Sequence, residues 1–150
     1  MTTAAGAEPR PELRDQPAEG RAGGGRPRLR VVDSITELGP ADAGSVAVSG
    51  SHGGVSSARY AIAARPLLSV FNDAGVGLDE AGIAALGMMQ AVGLAACTVG
   101  HHSARIGFAA STLEDGVVSH VNLLAAALGI RVGLRLREQP IVHRAATGDV

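Results

Sequence analysis

The chain contains no lysine; its 13 basic residues are all arginine. That excludes Schiff-base catalysis, a pyridoxal phosphate lysine and the lysine-bearing phosphate loop of common nucleotide hydrolases. Any fixed cationic contact to a ligand must come from arginine, whose planar fork suits carboxylates and phosphates. Aromatic residues make up only 2% of the chain, with no Trp, so the stacking platforms of single-strand nucleic-acid binders are missing. A net charge of −1 removes any general pull toward nucleic acid or anionic membranes. The single Cys97 rules out an intramolecular disulfide and a multi-cysteine zinc site. No run is long and apolar enough to span a membrane, and the N-terminus lacks the apolar stretch of a secretory signal. These absences point to a cytoplasmic protein with no membrane contact and no nucleic-acid binding by its folded domain.

What is present is aliphatic. Hydrophobic residues reach 46% with almost no aromatics, so the core is built from Ala, Val, Leu and Ile, with 21 glycines permitting close approach. A length of 150 residues allows one domain with one core. Residues 1–28 are rich in Ala, Gly, Pro, Glu and Arg without apolar periodicity, and read as a disordered tail with a slight excess of arginine over acids. The single α/β domain is expected over 29–138, with 139–150 as a loose tail.

Leu29 to Val32 reads as a strand, followed by Ser34-Ile35-Thr36-Glu37 with capping-box spacing. Ser45 to Val48 is a second strand and Val55 to Ala64 a helix stopped by Pro66. Leu67 to Phe71 is a third strand. A helix from Asp79 to Val92 carries Asp79 and Glu80 in its first turn, where they complement the macrodipole. Leu94 to Val99 is the fourth strand. Val117, Val121, Leu124 and Leu128 give the stripe of a helix over 116–128, which would place His120 and Asn122 on a surface or packing face. Ile130 to Leu136 alternates as an edge strand would. Strand and helix alternate, which predicts a three-layer, Rossmann-like α/β domain: a mostly parallel sheet of about five strands with flanking helices. The short connection from Asp33 to Gly44 leaves one antiparallel strand open.

In open α/β sheets ligands bind beyond the carboxyl ends of the strands. Four such exits carry polar residues here. Ser49-Gly50-Ser51-His52-Gly53-Gly54 offers three glycines able to take positive φ, so its amides would form an anion nest beside a helix N-terminus, with His52 as a proton carrier. A bare strand-to-helix turn has no need of that His. The loop lacks the spacing of the dinucleotide fingerprint and is not a nucleophile elbow. Asn72-Asp73-Ala74-Gly75 sets a carboxylate directly after an apolar strand, as a general base, a metal ligand, a partner for His52 or a tie for the turn itself. His101-His102-Ser103-Ala104-Arg105 adds an acid–base imidazole and the arginine best placed to grip an anion, with the second His pointing elsewhere. A metal site would recruit His52, Asp73 and one of the His pair, perhaps with Cys97, although no spacing demands it. Cys97 itself reads as a small buried hydrophobe within its strand.

The blocks Asp33-Ser34-Ile35-Thr36, Gly50-Ser51-His52-Gly53-Gly54, Asn72-Asp73-Ala74-Gly75-Val76-Gly77 and Ser103-Ala104-Arg105-Ile106-Gly107 resemble a pattern in a family of small uncharacterised bacterial α/β proteins. The resemblance spans about residues 31 to 137. It implies one intact domain and brings no activity with it.

The expectation is a hydrolase- or lyase-type enzyme acting on a compact anionic metabolite. Catalysis would fall to His52 and Asp73 with His101 or His102. Ser49, Gly50, Ser51, Gly53, Gly54, Asn72, Gly75, Ser103 and Arg105 would bind the substrate. No redox motif or resident metal is required, and the sequence identifies no cofactor. The alternatives are a non-catalytic regulatory module using the same loops, or an accessory subunit. A homo-oligomer is compatible with each.

Overall fold

The computed structural model describes residues 25–147. They form one sheet of β1 (Leu29–Val32), β2 (Val46–His52), β3 (Leu68–Asn72), β4 (Ala95–Val99) and β5 (Val118–Val121), in the order 1-2-3-4-5. β1 to β4 are parallel, and β5 runs antiparallel to β4. The helices are α1 (Val55–Ala64), α2 (Ala84–Ala91), α3 (Ala109–Asp115), α4 (Leu123–Ala127) and α5 (Pro140–Thr147). The expected α/β architecture is therefore present. No described helix is long and apolar enough to cross a membrane.

The layering follows from chirality. Right-handed crossovers between parallel strands that always advance one way leave their connections on one face. The 3-10 turn Ile35–Glu37, α1 and α2 accordingly share a core with Ala47, Phe71 and Ala96. The opposite face is left for the chain after β4, and Leu113 of α3, Ala125 of α4 and Val142 of α5 cover it, packing with Val48, Leu68, Val70 and Cys97. β3 and β4 are buried along their whole length, which is why they read as continuous apolar runs. The strand order never reverses, so the sheet lacks the central switch point of dinucleotide-binding domains.

Several local expectations give way to tertiary packing. The Asp33–Gly44 connection is just long enough for a crossover, and β1 pairs parallel with β2 through Leu29–Val46 and Val31–Val48. The second long helix begins at Ala84, not Asp79. Leu78–Ile83 is a 3-10 turn in which Asp79 and Glu80 take left-handed φ values of 54° and 58°, so neither caps α2. The reason lies in Gly82, which donates to the Val76 carbonyl at 2.7 Å and packs its Cα against the carbonyl of Asp73. The chain must fold back there before α2 can start.

The helix expected over 116–128 is two elements, β5 and α4. Asn122 divides them: its Oδ1 accepts from the Ala125 amide at 2.9 Å as the α4 N-cap, and from the Ala96 amide at 3.1 Å. It is buried, not on a surface face. Ile130 to Leu136 makes only an isolated antiparallel bridge, Arg135 to Val117. Gly133 takes φ +92°, and the buried Gln139 amide holds Arg131 and Leu134 by their backbones, so the segment stays a loop. The segment Pro140–Thr147, expected within a loose tail, is α5 with Val142 and Ala145 buried. Of the tail expected over 1–28, all but residues 25–28 lies outside the described residues.

Candidate functional site

Because β1 to β4 are parallel, their polar exits at Asp33, His52, Asp73 and Gly100 all open at one edge of the sheet. β5, being antiparallel, begins at that same edge, with Val118 paired to Val99.

At the β1 exit the predicted capping box is formed: Ser34 N donates to Glu37 Oε2 at 3.1 Å and Thr36 N to Ser34 Oγ at 3.2 Å. Asp33 accepts from the Ala109 amide at 2.9 Å and so anchors the start of α3.

The glycine-rich segment is not a nest. β2 continues through Ser49, Gly50, Ser51 and His52, and neither Gly50, Gly53 nor Gly54 has a positive φ. Its glycines serve close packing instead: a Cβ on Gly50 would lie 2.6 Å from backbone atoms of Gly107 and Phe108. The polar groups are spent on the fold. Ser49 Oγ donates to the Val70 carbonyl at 2.8 Å, Ser51 Oγ accepts from the Ile35 amide at 2.9 Å, and Gly53 N donates to Asn72 O at 3.0 Å. Gly54 is the N-cap of α1. His52 is exposed and lies against Gly54, and its side chain makes no hydrogen bond or ion pair among the described residues.

Asp73 carries the electrostatics. Its Oδ1 accepts from the Gly75 amide at 2.8 Å and the His101 amide at 3.1 Å, and lies 3.4 Å from His101 Nδ1. Its Oδ2 lies 3.9 Å from Nδ1 of His120. The carboxylate is 6% exposed, whereas the two imidazoles are 44% and 37% exposed. Burial raises its pKa. The Gly75 amide, the Ser119 hydroxyl, and the His101 amide and ring charge outweigh that and hold the carboxyl below its ordinary value. Asp73 is thus paired with His101 and not with His52.

Asn72 is structural: Oδ1 accepts from Ala74 N at 2.8 Å and Nδ2 donates to Ala104 O at 3.1 Å, tying the β3 exit to the β4 exit. Ser103 does the same for β5, donating to Gly100 O at 2.7 Å and accepting from Val117 N at 2.9 Å. The His102 ring does not point away; it lies against His101 with centroids 3.8 Å apart and planes tilted by 40°. Arg105 is exposed, its guanidinium 5.3 Å above the Phe108 ring and free of any carboxylate among the described residues. After Asp73 the chain is strained. Ala74, Val76, Asp79 and Glu80 all have positive φ, and for the β-branched Val76 at +68° that is a true outlier. Gly75, also left-handed at +77°, sits under the His101 ring.

Sequence reasoning missed Thr98, Ser119 and His120. A bulge in β5 pairs Thr98 with His120 and Val99 with Val118, leaving Ser119 outside the ladder. Both side chains then reach the buried Thr98 hydroxyl, Ser119 Oγ at 2.8 Å and His120 Nδ1 at 3.3 Å. The signal was the β-branched run Val117-Val118-Ser119-His120-Val121, hidden by spacing that also fits a helix.

Among the described residues, no group of three or more His, Cys, Asp and Glu is arranged to hold a metal ion. Cys97 is fully buried, and its thiol is pushed up to about 12 by that burial. A groove lined by residues including Arg26, Leu29 and Ala146 lies where β1 begins, at the opposite edge of the sheet. No protein-family model, curated protein or solved structure matches the chain.

Proposed function

We propose that the carboxyl edge of the sheet is the active site of a hydrolase- or lyase-type enzyme acting on a compact anionic metabolite, with Asp73 and His101 as its acid–base dyad. One observation carries this reading: a buried carboxylate lies 3.4 Å from His101 Nδ1, while the ring itself stays open to solvent. Asp73 orients the imidazole through Nδ1, and Nε2 is the atom that exchanges a proton with a bound molecule. His102, tilted against it, forms one wall.

Arg105 is the anion contact, by elimination. It is the one arginine on these exits, and its guanidinium has no competing carboxylate among the described residues. Asp33, Glu37, Asp73, Asp79 and Glu80 lie on the same loops. Their summed field disfavours a ligand with several anionic groups. The substrate class is therefore small and singly charged, a monocarboxylate above all.

A second reading has the same loops bind the metabolite without turnover. It draws on the two backbone amides that Asp73 already accepts, which would make the carboxylate a tie for the turn.

The test is a thermal-shift screen of the full-length chain against monocarboxylates, dicarboxylates and phosphates. A ligand at a hundred times its dissociation constant adds about 2.7 kcal/mol, or roughly ten degrees for a domain of this size. The expected result is a rise with monocarboxylates that R105A abolishes. H101Q keeps the rise and, with the hit as substrate, shows no product by NMR. Turnover surviving in H101Q rejects the dyad, and binding without turnover in the wild type selects the second reading.

A further inference from the structure

We infer that this edge carries a paired acid and base, His101 and His120, seated on the two oxygens of the single Asp73 carboxylate. The inference rests on the Asp73–His101 reading and adds a second imidazole to it. His101 Nδ1 stands 3.4 Å from Oδ1 and His120 Nδ1 stands 3.9 Å from Oδ2. Two hydroxyls fill the space beside His120: Ser119 Oγ is 3.1 Å and Thr98 Oγ1 is 3.3 Å from Nδ1, and the hydroxyls are 2.8 Å from each other. Thr98 is fully buried, so its hydroxyl is committed to this cluster. β5 gives up a regular pairing at Ser119 to bring both side chains to one place. An undistorted strand would send these neighbours to opposite faces.

Two imidazoles on one carboxylate are linked through it, because a charge on one ring is felt by the other. The titratable groups facing the cluster among the described residues are Asp73, His101, His120 and His102, the last lying against His101. The pair works with one proton between its two rings. One ring then takes a proton from a bound molecule while the other gives one, and Asp73 stays ionised throughout. That arrangement suits elimination of water from a small hydroxy acid. The C–H pair of electrons becomes the new double bond, its proton goes to the neutral imidazole, the C–O bond breaks, and the departing oxygen takes the other ring's proton to leave as water. Solvent returns the swapped protons to their starting places.

Ring-proton NMR of the full-length chain against pH tests the pairing. H101Q is expected to raise the titration midpoint of His120, and H120Q that of His101, because each loses a neighbouring positive charge. D73N is expected to lower both midpoints, and H52Q to move neither. If D73N lowers His101 alone and H101Q leaves His120 unmoved, the pairing is wrong and the dyad stands. If D73N moves neither ring, the dyad falls as well. The reciprocal H101Q and H120Q shifts decide the pairing even where D73N fails to fold.

Discussion

Replacing Asn122 with alanine removes four hydrogen bonds from a buried side chain. Oδ1 accepts from the Ala96 and Ala125 amides at 3.1 and 2.9 Å, and Nδ2 donates to the Leu86 and Leu94 carbonyls at 3.2 and 3.0 Å. The losses differ in kind. Losing the α4 cap at Ala125 costs about 1 kcal/mol. The Ala96 amide lies in a fully buried strand, and an orphaned buried donor there costs about 2 kcal/mol. Leu86 is within α2, so its carbonyl keeps its helical partner, and the two carbonyls together add well under 1 kcal/mol. The sum is roughly 3 to 4 kcal/mol, or about 12 to 16 degrees in Tm for a domain of this size. Urea unfolding followed by far-UV circular dichroism measures it, with an unchanged m-value expected because the fold is the same. N122D separates the terms: it keeps both acceptors but faces two carbonyls with a carboxylate. Protonation at low pH restores a donor, so its deficit shrinks as the pH falls, while that of N122A stays constant. An N122A protein within about 1 kcal/mol of wild type would refute the account of Asn122 as the joint between β4, α2 and α4.

Other predictions follow from single contacts. The folded pKa of Asp73 is depressed, so its contribution is fully present above the unfolded value near 4 and is lost as pH falls through the folded one. The stability gap between wild type and D73N should therefore close below about pH 4, and a gap constant with pH would contradict this. Cys97, with its thiol near 12, should react with iodoacetamide at pH 8 over a thousand times more slowly than a free thiol, roughly the ratio of thiolate fractions, and at an ordinary rate once unfolded. Complete native-state labelling in minutes would show that β4 opens. G50A should cost about 3 kcal/mol or more, because its new methyl meets the backbone of Gly107, Phe108 and Asp33 within 2.8 Å. G87A, in open space on α2, should gain about 0.5 to 1 kcal/mol. Equal effects from the two would remove the packing argument for the glycine-rich block.

The legible parts of the chain are those whose neighbours in space are also periodic in sequence. Val46–Val48, Leu68–Phe71 and Ala95–Val99 are buried on both faces and show it as apolar runs, and α1 is bounded by Gly54 and Pro66. Val117, Val121, Leu124 and Leu128 were misleading because a β-strand followed directly by a capped helix can place apolar residues at helical spacing. α3 offers only Ala109 and Leu113 as an apolar pair, too little for a stripe. Asp73 and His101 were legible as strand exits. His120 was not, because its place depends on a bulge in the strand read as helix. The Gly50 block shows the same limit from the other side. Its glycines mark where the Gly107–Phe108 backbone crosses, and nothing local to residues 49–54 records that crossing.

The location of the Asp73–His101–His120 cluster follows from the way the chain leaves the sheet. A strand order without reversal has no switch point, so a binding crevice cannot arise from the order alone. It arises instead from a change of face. The chain after β3 turns toward the layer holding Ala85, Leu86 and Met89 of α2, whereas the chain after β4 turns toward the layer holding Ala104 and, from α3, Leu113. Two adjacent exits that diverge leave the strand ends between them uncovered, and there Asp73 and His101 stand, the ring 44% exposed above a buried carboxylate. The antiparallel β5 completes the arrangement. A fifth parallel strand would have started at the far edge and carried Ser119 and His120 away, whereas an antiparallel one delivers its first residues to the carboxyl edge beside Val99. The cluster thus draws on β3, β4 and β5 for three separate reasons, and only the first two, strand exits after apolar runs, leave a mark in the local sequence.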